Sequence, residues 1–212
     1  MNIKRKLATW TMLAALAPTL AGCFGVAAVG MGAGVLMVAD RRPSDTYLTD
    51  EAIEMRASSG IREKYQDKVH VNITSYNRTV LITGEVPDAA TKAEIDRIVA
   101  GKPNVKATAN ELRISGLASL GGSSNDTLIT SKVKARFVDQ GKFSAHLVKV
   151  VTESGTVYLL GLVTHNEGDE ATQIARETSG VLGVVRLFEY ISDEEARRLD
   201  NRPAESGKAP VR

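Results

Sequence analysis

The chain has 212 residues, with 27 Lys and Arg against 25 Asp and Glu, a formal net charge of +2 and a single cysteine. So even a balance excludes a strongly basic nucleic-acid binder, and any charged patch must be local. One cysteine excludes an intrachain disulfide.

The N-terminus has the three parts of a secretory signal. Lys4, Arg5 and Lys6 form a positive start, Leu7 to Leu20 is mostly apolar, and Leu20-Ala21-Gly22 supplies small residues before Cys23. Cysteine directly after Leu-Ala-Gly resembles the lipobox of bacterial lipoproteins. That likeness implies cleavage after residue 22 and a diacylglyceryl group on the Cys23 sulfur, with a further acyl chain on the new amino group. Stable anchoring needs two or more chains, because one binds only marginally. Phe24 follows in place of aspartate, which by resemblance to sorting in enteric bacteria favours the outer membrane. The apolar run Phe24 to Ala39 also leaves open an uncleaved membrane anchor, which takes about 20 apolar residues. A polar tether, Asp40 to Thr46, follows.

The rest of the chain reads as two copies of one unit. Val71, Thr79, Val80, Gly84 and Val86 recur as Val148, Thr156, Val157, Gly161 and Val163. In each copy two alternating runs flank a turn, at Tyr76-Asn77-Arg78 and at Glu153-Ser154-Gly155, which predicts a hairpin. Gly84 and Gly161 mark a bulge or a close backbone approach. Helical periodicity covers 88–100, with Asp88 as N-cap, and 167–179; Gly101 and Gly180 stop these helices. A further helix precedes each hairpin: Thr49 to Ser59, capped by Thr49 or Asp50, and Asp126 to Gln140, capped by Asn125 or Asp126. Each copy closes on a β-prone run, Leu112 to Ile114 and Val184 to Ile191. The expectation is an α+β fold of two tandem units over 47–114 and 125–191. Each is α-β-β-α-β, with helices packed on a small three-stranded sheet. A Gly/Ser linker spans 115–124 and a charged, disordered tail 192–212, although Ser192 is placed to cap a short helix.

Val80-Leu-Ile-Thr-Gly84 and Val157-Tyr-Leu-Leu-Gly161, with Pro103-Asn-Val105 and Ser179-Gly-Val181, resemble the BON domain. Two copies behind a lipobox are similar to the division- and outer-membrane-stress-associated lipid-binding lipoproteins. Ser124 to Val133 carries much of that likeness. The resemblance implies a lipid-anchored protein on the periplasmic face of the outer membrane. It implies binding of anionic phospholipid through the second domain, support of envelope integrity, and a link to cell division and the outer-membrane β-barrel assembly machinery.

The residues of the second unit's first helix fit such a surface. Ile129, Val133 and Phe137 form one stripe toward the sheet, with Leu128, Lys132 and Arg136 beside it, Lys134 on another side, and Lys142 and Phe143 in the next loop. Lys and Arg contribute about 1 kcal/mol each near an anionic membrane. Leu128, Lys132, Lys134, Arg136, Phe137, Lys142 and Phe143 are therefore the candidate lipid contacts, against an ordinary solvated face with Phe137 in the core. Leu128 stands where the family can carry tryptophan, which weakens interfacial anchoring. The first unit's helix carries Asp50, Glu51 and Glu54 against Arg56, a face that should not attract anionic lipid. His70, His146 and His165 lack metal-ligand spacing, and no Gly-x-Ser-x-Gly elbow or phosphate loop occurs. No enzyme, cofactor or metal is expected. The competing reading is a protein-interaction adaptor for an envelope machine.

Overall fold

The computed structural model describes residues 41–115 and 123–202. The expected signal, the expected lipidation site Cys23, the apolar run 24–39, most of the linker and the end of the tail lie outside the described residues. No helix among the described residues is long and apolar enough to cross a membrane.

Each unit begins with a helix: α1, Ser44–Tyr65, and α3, Ser123–Gln140. Both start earlier than the polar residues chosen as caps, and those acids have another task. Asp50 lies well inside α1 and is almost fully buried. Its carboxylate accepts the backbone N–H groups of Asn77 and Arg78, each at 2.8 Å, and the Ser75 hydroxyl at 2.7 Å. Asp126 does the same for the second unit, accepting from Ser154 N at 2.7 Å and Gly155 N at 2.8 Å. These are hairpin-turn amides, with no strand partner of their own. A charged acceptor from the neighbouring helix satisfies them and fixes helix to hairpin.

The hairpins follow directly. Strands β1, His70–Tyr76, and β2, Thr79–Val86, pair antiparallel, with Tyr76 opposite Thr79. Asn77 and Arg78 both take positive φ, 49° and 66°, as a two-residue turn matched to strand twist requires. Strands β5, Val148–Glu153, and β6, Thr156–Val163, turn through Ser154 and Gly155 in the same way. Gly84 has a φ of 117°, and a Cβ there would lie 2.0 Å from the carbonyl oxygen of His70. A Cβ on Gly161 would likewise lie only 2.6 Å from the carbonyl oxygen of Leu147. Both glycines are therefore demanded by close backbone approach.

The second helix of each unit returns the chain across the sheet. α2, Ala89–Ala100, is capped by Asp88, which accepts from Thr91 N. α4, His165–Arg176, starts two residues before the expected 167, because Thr164 and Glu167 form a reciprocal capping box. The third strand then pairs parallel to the second: β7, Gly183–Tyr190, on β6, and β3, Ala107–Asn110, with β4, Arg113–Ile114, on β2. The first unit's last strand begins before the expected Leu112. It is interrupted at Glu111–Leu112, where Leu112 turns into the core. The α+β arrangement of two helices on a small sheet holds in both units.

The described residues all belong to one compact unit. Each domain has its own helix-on-sheet core. The first is built on Ile53, Ile61, Ile82 and Ile95, the second on Ile129, Phe137, Leu159 and Ile174. A third cluster joins them. Tyr76 and Leu81 from the first sheet pack with Tyr158, Leu160 and Leu162 from the second. The sheets thus bury their remaining faces on each other, and each large side chain so buried contributes roughly 1.5–3 kcal/mol. Burial pushes the Tyr158 hydroxyl up to about 12, with the carboxylates of Glu111 and Glu153 acting in the same direction.

Two expectations at the ends are corrected. Arg41, placed in the tether, is 4% exposed. It donates to both oxygens of Glu167, at 2.7 and 2.9 Å, to both oxygens of Asp200, at 2.8 and 2.9 Å, and to Leu162 O at 3.1 Å. Beyond residue 191 the expected Ser192 cap does start a short helix, α5, Asp193–Asp200, and these residues are ordered rather than disordered, with Ala196 buried and Leu199 against the inter-sheet cluster. Burial opposes ionisation of Glu167, but Arg41 and the Thr164 amide outweigh it and hold its pKa below the ordinary value. A charged end segment orders here because a buried guanidinium needs its carboxylate.

Candidate functional site

The candidate site is built on α3. Asp126, Ile129, Val133 and Phe137 face inward. At about 100° per residue, the opposite side carries Leu128, Ser131, Ala135 and Val138. All four are exposed, Leu128 by 52% and Val138 by 71%. Lys132 and Lys134, both exposed, flank this stripe on its two sides. The result is a narrow apolar-to-small ridge with a basic head on each flank.

The other predicted contacts are placed differently. Phe137 is fully buried and meets Phe143 edge-on, ring centroids 5.0 Å apart. The i, i+4 stripe that marks Phe137 as core outweighs its reading as a lipid contact. Phe143 is half-buried against the same core. Arg136 is half-buried, its Nη2 3.4 Å from a Glu177 oxygen and its Nη1 3.5 Å from the Thr178 hydroxyl. Lys142 pairs with Glu170 at 2.8 Å. Four candidates are therefore turned inward or held by partners, and Leu128, Lys132 and Lys134 remain outward.

Two exposed residues escaped the sequence reading. Val138 was readable, since it continues the outward stripe from Leu128 through Ser131 and Ala135. Leu182, 83% exposed, was not. It stands in the loop after α4, which ends at Arg176 rather than at the expected Gly180, in no periodic pattern, and its backbone N–H donates to Gly155 O at 2.8 Å. The loop carrying it runs along α3, where Gly180 approaches Ile129.

The first domain's helix also differs from expectation. Of its acids, Asp50 is buried and Glu54 turns to the second domain, accepting from Lys149 Nζ at 3.2 Å and from Ser75 N at 2.7 Å. What α1 exposes is Leu48, by 66%, and Met55, by 72%, with Glu51 and Arg56. α1 and α3 border one cleft of about 440 Å³, lined by Tyr47, Glu51 and Glu54 on one side and Lys134, Val138 and Lys149 on the other.

Comparison with known proteins adds the following. The BON domain family model matches residues 49–116 and 125–192. The outer membrane lipoprotein DolP of Haemophilus influenzae is 35% identical over 175 residues, which is 81% of this chain and 90% of that protein. The 21 kDa hemolysin of Actinobacillus pleuropneumoniae is 29% identical over 154 residues, covering 72% of this chain and 79% of its own length. The osmotically-inducible protein Y of Escherichia coli is 25% identical over 142 residues, 65% of this chain and 71% of that one.

Proposed function

Because the chain belongs to the BON domain family and carries two copies of the domain, we propose that it is an outer-membrane lipoprotein, anchored through Cys23 on the periplasmic face, that works without catalysis by resting its second domain on anionic phospholipid in support of envelope integrity. The likeness to a relative named as an outer membrane lipoprotein supports the location. The observation that carries the docking is the outward ridge of α3, where Leu128 and Val138 stand exposed between Lys132 and Lys134.

The arithmetic suits a weak, reversible contact. Two free lysines give about 2 kcal/mol on an anionic surface. Partial insertion of Leu128, Val138 and Leu182 adds a comparable amount. An acyl anchor raises the local concentration of the domain at the surface, so no stronger contact is needed. Vesicle sedimentation of residues 37–212 tests this. Binding to phosphatidylglycerol vesicles should fall with salt, and Leu128→Glu with Val138→Glu should remove most of it while leaving the unfolding transition in place. Undiminished binding by that folded variant would refute the assignment.

A second reading has its own observation. Leu48 and Met55 on α1 are exposed without a lysine pair beside them, which fits a protein partner, such as the β-barrel assembly machinery, better than a headgroup layer. Photo-cross-linking from position 55 in cells should then yield a protein adduct that survives Leu128→Glu.

A further inference from the structure

We propose that His70, Glu85 and Glu153 form a Zn²⁺ site at the seam between the two domains. One ligand atom from each of the three lies within 4.8 Å of the others. His70 and Glu85 are cross-strand partners on β1 and β2, so the pleat directs both to the same side of the first sheet. Glu153 comes from the other domain, at the end of β5, next to the turn that Asp126 pins. The three are 15 to 83 residues apart in sequence, which is why spacing along the chain gives no sign of them.

The surroundings have the character of a second coordination layer. Glu85 is buried, and its two oxygens are divided: Oε2 faces His70 Nδ1 at 2.9 Å, and Oε1 accepts from Arg113 Nη2 at 2.9 Å. Arg113 therefore fixes the carboxylate while leaving Oε2 as the ligand. Asn72 Nδ2 donates to Glu153 Oε2 at 3.0 Å and orients that group. Such outer partners set the direction and basicity of metal ligands. The side chains line a cleft of about 680 Å³, which gives the ion access and leaves room for a water as fourth ligand.

The donor set selects the ion. One imidazole and two carboxylates with an open position suit Zn²⁺ at roughly 2.0–2.2 Å per bond. Ca²⁺ wants six to eight oxygens, and Mg²⁺ sites are built from oxygen alone. Closing the ligand atoms to tetrahedral distances requires a movement of roughly 1 Å, which the half-exposed His70 and Glu153 side chains can make. Zn²⁺ would replace the His70–Glu85 hydrogen bond and add Glu153 to it, joining the domains by coordination. The second copy lacks the site, because it has Leu147 and Leu162 where the first has His70 and Glu85.

The test is calorimetric titration of the untagged full chain in detergent with ZnCl₂. The expected result is one Zn²⁺ per chain, with affinity falling by at least about tenfold in His70→Ala and in Glu153→Gln, and unchanged in His146→Ala and His165→Ala. Glu153→Gln alters a half-exposed strand end and keeps the question open to experiment if His70→Ala does not fold. The Co²⁺-loaded protein should show tetrahedral visible absorption that both ligand variants lose. No saturable Zn²⁺ binding by the wild-type chain, or binding that His70→Ala and Glu153→Gln leave intact, overturns the site.

Discussion

The first helices of the two domains can be laid over each other position by position. Asp50, Ile53, Ala57 and Ile61 of α1 correspond to Asp126, Ile129, Val133 and Phe137 of α3, and all eight are buried. The inward faces are the same device: a carboxylate that holds the hairpin turn, followed by three apolar residues on the sheet. The outward faces have diverged. Ala52, Met55, Ser59 and Arg62 stand where α3 has Leu128, Ser131, Ala135 and Val138. The repeat has kept what folds the domain and changed what the domain touches.

The largest expected effect tests the shared inward face. Asp50 serves two turn amides, a hydroxyl and Arg42 Nη1 at 2.8 Å, whereas Asp126 serves two amides. Asp50→Ala should cost about 3–5 kcal/mol and Asp126→Ala about 2–3 kcal/mol, by urea unfolding. Equal losses would mean that Arg42 and Ser75 add nothing. The two strand glycines sharpen the same comparison. Gly84→Ala places a Cβ 2.0 Å from a carbonyl oxygen at positive φ, so it should lower the midpoint further than Gly161→Ala.

Arg41→Ala comes next, at about 3 kcal/mol, because it strands the largely buried Glu167. Its pH dependence has a definite sign. A carboxylate whose folded pKa is lowered contributes stability above its unfolded value, about 4.3, and loses it as pH falls through the folded value. Wild type and Arg41→Ala should therefore converge in Tm as pH falls below about 4.3. A constant gap would refute the clasp.

Tyr158 gives a smaller, alkaline effect. Its raised pKa makes its contribution complete below about pH 10 and lost as pH rises through about 12. Leu81 holds the matching place in the first domain and cannot titrate. Tyr158→Phe should flatten the alkaline limb of the stability profile, and an unaltered limb would place the loss elsewhere. The smallest effect on stability, within about 0.5 kcal/mol, belongs to the outward exchange. Giving α3 the first domain's residues, Leu128→Ala with Val138→Arg, should weaken vesicle binding severalfold while leaving urea unfolding unchanged.

How much of this was legible depended on whether a signal was local. The hairpins showed because alternation and turn residues lie within a few positions, and Asp88 showed as a cap because its acceptor role is spent on Thr91, three residues on. Asp50 and Asp126 were misread as caps for the converse reason. Their partners are 27 to 29 residues away, and nothing in a helix-start pattern separates an acid serving its own amides from one serving a neighbour's. Phe137 was claimed for both core and membrane, and its i, i+4 spacing from Val133 decides for the core. Arg41 and Asp200, 159 residues apart, carried no pairing signal, so the clasp between them stayed hidden, although the Ser192 cap of the last helix was legible. The parallel third strand was likewise silent, since period two is the same in either direction.

That clasp also sets how load passes through the molecule. In sequence the N-terminal segment joins the first domain, yet its last residue before Arg42 is fastened to Glu167 and Asp200 of the second domain and the final helix. A pull on the chain upstream of Arg41 is resisted first by the second domain. The two domains are therefore loaded side by side rather than in series from the N-terminal side, and changing the length of the linker between them would not alter how far the second one stands from residue 41.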